Sequence, residues 1–131
     1  MPELNKDIIE ILEHMRVLSD LRGIMLATKN GELVEKSLAP HYNTIMEDWD
    51  NFTAMCATVF ESATAVAHNA NKENLHQITV ELSDHNLILQ ECNNKMILIS
   101  ILGKSKSLSQ FMAHFQKFLS EINKQIGRAS C

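Results

Sequence analysis

The sequence is poor in cysteine. Only three of its 131 residues are cysteines, Cys56, Cys92 and Cys131. They stand alone, they are odd in number, and no two form a CxxC pair. That pattern excludes the disulfide framework of a small secreted domain and points to a reducing interior. Long hydrophobic runs are missing too. No N-terminal stretch has the length of a signal peptide, and none reaches transmembrane length. Positive charge is in deficit, with 12 Lys and Arg against 16 Asp and Glu and a formal net charge of −4. Nucleic-acid binding depends on clustered Lys and Arg, and anionic lipid surfaces ask for the same, so both partners are disfavoured. The six histidines (His14, His41, His68, His76, His85 and His114) form no HxH, HxxxH or HExxH pair. The local spacing that metal ligands usually show is therefore lacking. These absences lead to the expectation of a cytoplasmic protein with no cofactor, no metal and no catalytic residues of its own.

What is present describes one globular domain. Apolar residues make up 45 % and charged residues 21 % of the chain, which is long enough to bury a core without staples. Leu4, Ile8, Ile9, Leu12, Met15 and Leu18 recur at helical spacing, with Asn5 as a candidate cap. In "GIMLATKNGELVEKS" two short extended runs, about 22–28 and 32–37, flank Asn30-Gly31, a dipeptide that suits a tight hairpin. Residues 75–102 change period. Ile78, Val80 and Leu82 alternate with Gln77, Thr79 and Glu81, giving one dry and one wet face. Ser83–Asn86 is read as a turn, Leu87–Glu91 as a strand, Cys92–Lys95 as a second turn. The nearly apolar "MILISIL" at 96–102 is expected to be a central strand covered on both faces. Ser107-x-x-Gln110 reads as a capping box for a last helix, with Leu108, Phe111, Met112, Phe115, Phe118, Leu119, Ile122 and Ile126 on one face and Gly127 as its stop. The order is α-β-β-α-β-β-β-α without repeats, an α/β (α+β) domain over 1–126 with a short tail at 127–131.

One motif invites a catalytic reading. "ISILGKSKSLSQF" runs strand, Gly-Lys-Ser, helix, as the end of a nucleotide-binding P-loop does. The glycine such a loop needs five residues earlier is Leu98, and the intervening residues belong to a strand, so no nest of amides forms around a phosphate. Gly103-Lys104-Ser105 is better explained as a turn into a capped helix.

The long helix between the two halves carries the interaction signal. Thr44-x-x-Glu47 reads as its capping box, and Glu47, Asp48 and Asp50 favour its positive N-terminal end. Its apolar or small positions, Ile45, Trp49, Phe52, Cys56, Val59, Ala63, Val66 and Ala70, step alternately by four and three, as a heptad seam does. A second row, Met46, Thr53, Phe60 and Ala67, runs beside it. One stripe suffices to pack on a sheet; two suggest that the helix touches two things, and a two-fold dimer is the commonest second thing.

The ordered set "LRGIMLATKNGELVEKS", "AMCATVFESATAVAHNA", "LHQITVEL" and "MILISILGKSKSLSQF" resembles the Roadblock (dynein light-chain) family over about residues 6–125. Thr28-Lys29 stands where that family usually has an Asp before the first turn. The resemblance implies a five-stranded antiparallel sheet with the long helix packed on it. It also implies a homodimer, or a heterodimer with a related Roadblock protein, with long helices side by side and third strands joined. The expected dimer contacts are Trp49, Phe52, Cys56, Val59, Ala63 and Val66 on the helix, and Gln77, Ile78, Thr79, Val80, Glu81 and Leu82 on the strand. Members of the family are platforms or regulators for small Ras-like GTPases, or adaptors in motor and membrane-signalling complexes, where partners recruit them to membranes. The functional expectation is accordingly a non-catalytic dimeric regulator or scaffold for a small Ras-like GTPase. A heterodimeric adaptor without effect on a GTPase is the first alternative. A small-ligand sensor of profilin-like or PAS-like fold ranks last, because large apolar residues fill the space a ligand would need.

Overall fold

The computed structural model describes residues 2–40, 48–104 and 108–130. In chain order the elements are α1 (Pro2–Leu18), β1 (Gly23–Thr28), β2 (Leu33–Leu38), α2 (Trp49–Asn71), β3 (Gln77–Glu81), β4 (His85–Glu91), β5 (Met96–Gly103) and α3 (Leu108–Ser130). The strands form one sheet in the order β2-β1-β5-β4-β3, with every neighbouring pair antiparallel. β5 lies in the middle, and each of its residues after Met96 is buried. That is the place a nearly all-apolar strand has to occupy, since both of its faces must be covered.

Side-chain alternation along the strands divides the core in two. On one face Ile24, Leu26, Ile88, Leu98 and Leu102 meet Leu12 and Met15 of α1 and Phe111, Phe115, Phe118 and Ile122 of α3. On the other, Met25, Ala27, Leu87, Leu89, Ile97, Ile99 and Ile101 meet Trp49, Cys56, Ala57 and Phe60 of α2. Two helices therefore cover one face and a single helix the other, which leaves the second face less completely roofed.

Several local expectations are corrected. The helix α1 starts at Pro2, so Asn5 lies inside it and does not cap it. Proline suits a first helical position, where its missing N–H has no intrahelical partner to lose. β4 begins at His85, two residues before the expected strand start, because His85 and Asn86 pair with Gly103 and Leu102. Cys92, read as a turn residue, is buried against the α1/α3 core. The last helix passes through Gly127 to Ser130; a glycine within a helix costs about 1 kcal/mol relative to alanine but does not forbid the turn. The boxes at Thr44–Glu47 and Ser107 lie outside the described residues. At Asp48, the carboxylate accepts a hydrogen bond from the backbone N–H of Asn51 at 2.9 Å and so caps α2.

The first hairpin also differs from a two-residue turn. Gly31 N–H donates to the Thr28 carbonyl at 3.0 Å, and Thr28 N–H donates to the Glu32 carbonyl at 2.9 Å, so Lys29, Asn30 and Gly31 form a three-residue loop. Of these three only Gly31 has positive φ, at 99°. Such a loop needs its left-handed residue at the third position, which is where the glycine stands. Space matters as much as angle, because a Cβ on Gly31 would come 3.1 Å from Ala54 Cα in α2. The hairpin tip and α2 thus touch backbone to backbone.

Two substitutions test this packing. Gly31→Ala combines backbone strain with a contact against helix backbone, and should lower stability by about 1–3 kcal/mol in urea unfolding; an unchanged midpoint would show that the tip does not abut α2. Ser100, fully buried in β5, has a hydroxyl without a hydrogen-bond partner among the described residues. Ser100→Ala should therefore be neutral or stabilise by up to about 1 kcal/mol, and a clear loss of stability would mean that the hydroxyl is bonded in solution.

Candidate interaction surface

α2 lies against β1, β2 and β5. Its inward side chains are Trp49, Thr53, Cys56, Ala57 and Phe60, all at most 6 % exposed. The steps of four, three and four keep them on one line along the helix. Small residues at 53, 56 and 57 let the helix sit low on the sheet. The Thr53 hydroxyl is satisfied by donating to the Trp49 carbonyl at 2.7 Å. Beyond Phe60 no described residue of the helix is buried. The helix has 23 residues and the longest strand eight. Helical and extended rises make these about 34 Å and about 26 Å long, so the helix outruns the sheet. It ends in a left-handed turn at Lys72, φ 57°, whose N–H donates to the His68 carbonyl at 2.9 Å.

One flank of the same helix carries a bare apolar line. Met55 is 61 %, Val59 46 % and Val66 66 % exposed, with exposed Ala65 between the last two. Met55, Val59 and Val66 fall on one line at spacings of four and seven. From Asn51 to Ala67 the only charged side chain is Glu61. A surface helix ordinarily puts charged or polar residues on this side, and depletion of charge around apolar residues is what the centre of a protein interface shows.

The sheet offers a second feature on its flank. β3 ends the sheet and pairs only with β4 among the described strands. Its Ile78 and Val80 pack partly against the α2 core, Thr79 and Glu81 are exposed, and Leu82 just beyond is 39 % exposed. A bare strand edge presents unpaired N–H and C=O groups to any strand that approaches.

The expected contact residues are therefore not all alike. Trp49 and Cys56 are enclosed by the core of their own chain, and Phe52 is half-buried, edge-on to Trp49 at 5.5 Å between ring centroids. Ala63 is half-buried, while Val59 and Val66 point to solvent. The strand residues Gln77–Leu82 line the free edge. Met55 is absent from the expected set: its spacing to Val59 and Val66 marks an outer line that a single seam through Cys56 obscures.

Cys56, Cys92 and Glu91 have structural roles. Burial pushes the Cys56 thiol up to about 11 and the Cys92 thiol up to about 12, so neither is a thiolate at neutral pH. No group of three or more His, Cys, Asp or Glu side chains among the described residues is placed to hold a metal ion. Glu91 joins three parts of the sheet by accepting from Lys29 Nζ at 2.6 Å and lying 3.3 Å from His76 Nδ1. Burial raises its carboxyl, but the bonds to Lys29 and His76 outweigh that and hold it below the ordinary value. A carboxylate lowered in this way adds stability that is present above the ordinary Glu range and is lost as pH falls through the lowered value. Glu91→Gln should therefore lower stability at neutral pH and flatten the acid limb of a stability–pH profile; an identical acid limb would show that these bonds do not form in solution.

A family model described as the Roadblock/LC7 domain matches residues 8–102, from α1 through β5. The chain belongs to the Roadblock/LC7 family. No curated protein matches it in sequence. Among solved structures it is similar to MglB of Myxococcus xanthus, with 14 % identity and a TM-score of 0.86 over 95 % of this chain and 90 % of that one. The gliding protein mglB of Thermus thermophilus aligns with 13 % identity and a TM-score of 0.82 over 93 % and 90 % of the two chains. A Roadblock/LC7 domain from Streptomyces avermitilis aligns with 11 % identity and a TM-score of 0.78 over 92 % and 98 %. At such identities the likeness is one of fold. No helix among the described residues is long and apolar enough to cross a membrane.

Proposed function

We propose that this chain is a non-catalytic, dimeric regulator or scaffold that binds a small Ras-like GTPase in the cytoplasm and reaches membranes only through its partners. The observation that carries the dimer is the uncharged line of α2, Met55, Val59 and Val66, together with the free edge of β3. In this reading two copies place these lines against each other and pair their β3 strands into one sheet. Val59, Ala63 and Val66 make the helix contacts. Gln77, Ile78, Thr79, Val80, Glu81 and Leu82 supply the strand edge. Trp49, Phe52 and Cys56 act indirectly, by seating α2 on its own sheet. One solved structure of the same fold is described as MglB with a tetrameric arrangement, which supports assembly of this fold from several copies.

The GTPase assignment rests on the family. Its members serve as platforms or regulators for such proteins, and the continuous surface made by two α2 helices would be the platform. Any stimulation of hydrolysis would come from steadying the GTPase's own catalytic groups, since phosphoryl transfer is catalysed largely by positioning and charge stabilisation. The adaptor alternative uses the same surface with a related Roadblock partner in place of a second copy, and co-purification from native extract separates the two.

Sedimentation equilibrium at micromolar concentration should give a dimer of the wild-type chain. Val59→Glu with Val66→Glu should give a folded monomer, because both side chains are exposed and their replacement leaves the core intact. A double variant that stays dimeric would place the contact elsewhere. A monomeric wild type, with no Roadblock partner in native extract, would remove the dimer.

A further inference from the structure

The end of the sheet farthest from the hairpin tip holds a guanidinium in search of an acceptor. Arg22 is held by backbone on both sides: its N–H donates to the Ile101 carbonyl at 2.9 Å and its carbonyl accepts from Ala39 N–H at 2.9 Å. The side chain is half-buried and runs to Gly103. A Cβ at Gly103 would stand 3.5 Å from both Nε and Nη2, so the fork lies in contact across the glycine. His85, the residue paired with Gly103 across the sheet, flanks the same spot. The other arginine outside the C-terminal segment, Arg16, donates from Nε to the Ser37 hydroxyl at 2.9 Å. Arg22 makes no such bond and no ion pair with any described residue. Its stem is fixed, its head is partly open to solvent, and its five donors meet no carboxylate among the described residues.

We propose that Arg22, with Gly103 as floor and His85 as wall, is a receptor for a single carboxylate.

The choice of carboxylate follows from charge and shape. A guanidinium fork matches the two oxygens of a carboxylate in a planar, bidentate pair. Lys104 stands nearby but is already paired with Glu81 at 3.1 Å. Asp84, next to His85, brings a further negative charge to the neighbourhood, and its effect on the imidazole opposes those of Arg22 and Lys104. With Lys104 paired to Glu81 and Asp84 beside the same imidazole, the neighbourhood carries no excess positive charge, which disfavours a phosphate dianion and leaves the planar fork of Arg22 to select a carboxylate. A rigid stem also means that little side-chain freedom is lost on binding.

The test is a titration of the full chain followed by NMR, reading the Arg22 Nε–H resonance and the Gly103 and His85 amides. Acetate represents a free small acid, and N-acetyl-glutamic acid α-amide a protein-borne side chain. Sodium chloride at matched ionic strength controls for screening, and inorganic phosphate for charge. The expected result is a saturable shift with both carboxylates, absent with chloride, several-fold weaker in Arg22→Lys and lost in Arg22→Gln, with the remaining spectrum unchanged. Tighter binding of the glutamyl compound than of acetate would make the natural ligand a protein side chain; equal binding would mean that the site reads the carboxylate alone. A shift no larger than that of chloride, one that survives in Arg22→Gln, or tighter binding of phosphate than of acetate would overturn the proposal.

Discussion

A single long helix has to roof one face of a five-stranded sheet, and it cannot do so with one side of itself. The buried stripe of α2 runs from Trp49 to Phe60 and packs on the strands. A helix of 23 residues outruns strands of five to eight, and an apolar line remains on its outer side. Burial of a large apolar side chain contributes about 1.5–3 kcal/mol, so leaving Met55, Val59 and Val66 in water forgoes several times that. The remaining features of the surface follow from this geometry. α2 covers the β2-β1-β5 half of the sheet, and β3 is left at the margin.

The position of α2 is itself fixed by close approach. The hairpin tip can touch the helix only because Gly31 has no side chain and accepts a positive φ, and because Ala54 is small where they meet. Small residues at Thr53, Cys56 and Ala57 bring the helix down onto Met25, Ala27 and Ile97. The Glu91 bonds to Lys29 and His76 tie the same end of the sheet from the hairpin loop to the entry of β3. Local chemistry thus fixes where α2 sits on the sheet.

Much of this was legible from the residues. The alternation of Ile78 and Val80, the nearly all-apolar run at 96–102 and the helical spacing of Phe111, Phe115, Phe118 and Ile122 each appear as strand or helix with the expected face inward, whereas Leu82 falls just beyond β3 and is exposed. The sequence also carries the double stripe of α2, but not its division. Periodicity reports that a helix has two apolar lines and is silent on which line the sheet takes, so it groups Trp49 and Cys56 with Val59 and Val66. Met55 escapes it because its partners lie one and three turns away. The hairpin shows the same limit. Asn30-Gly31 marks a turn, but whether two or three residues form the loop is decided by the Thr28–Glu32 bonds and by the fit of Gly31 against Ala54. Arg22 carries no sequence signal, since which carboxylates come near it depends on how the chain folds.

Hydrogen exchange at β3 tests the central claim most directly. The amides of Gln77–Leu82 that do not bond to β4 are open to water in a lone chain and are covered when two third strands pair. If the outer face of α2 and the edge of β3 form one interface, these amides gain protection as protein concentration rises, and those around Val59 and Val66 slow with them. Fast exchange of the β3 amides at every concentration, in the presence of native extract as well as in its absence, would contradict the account.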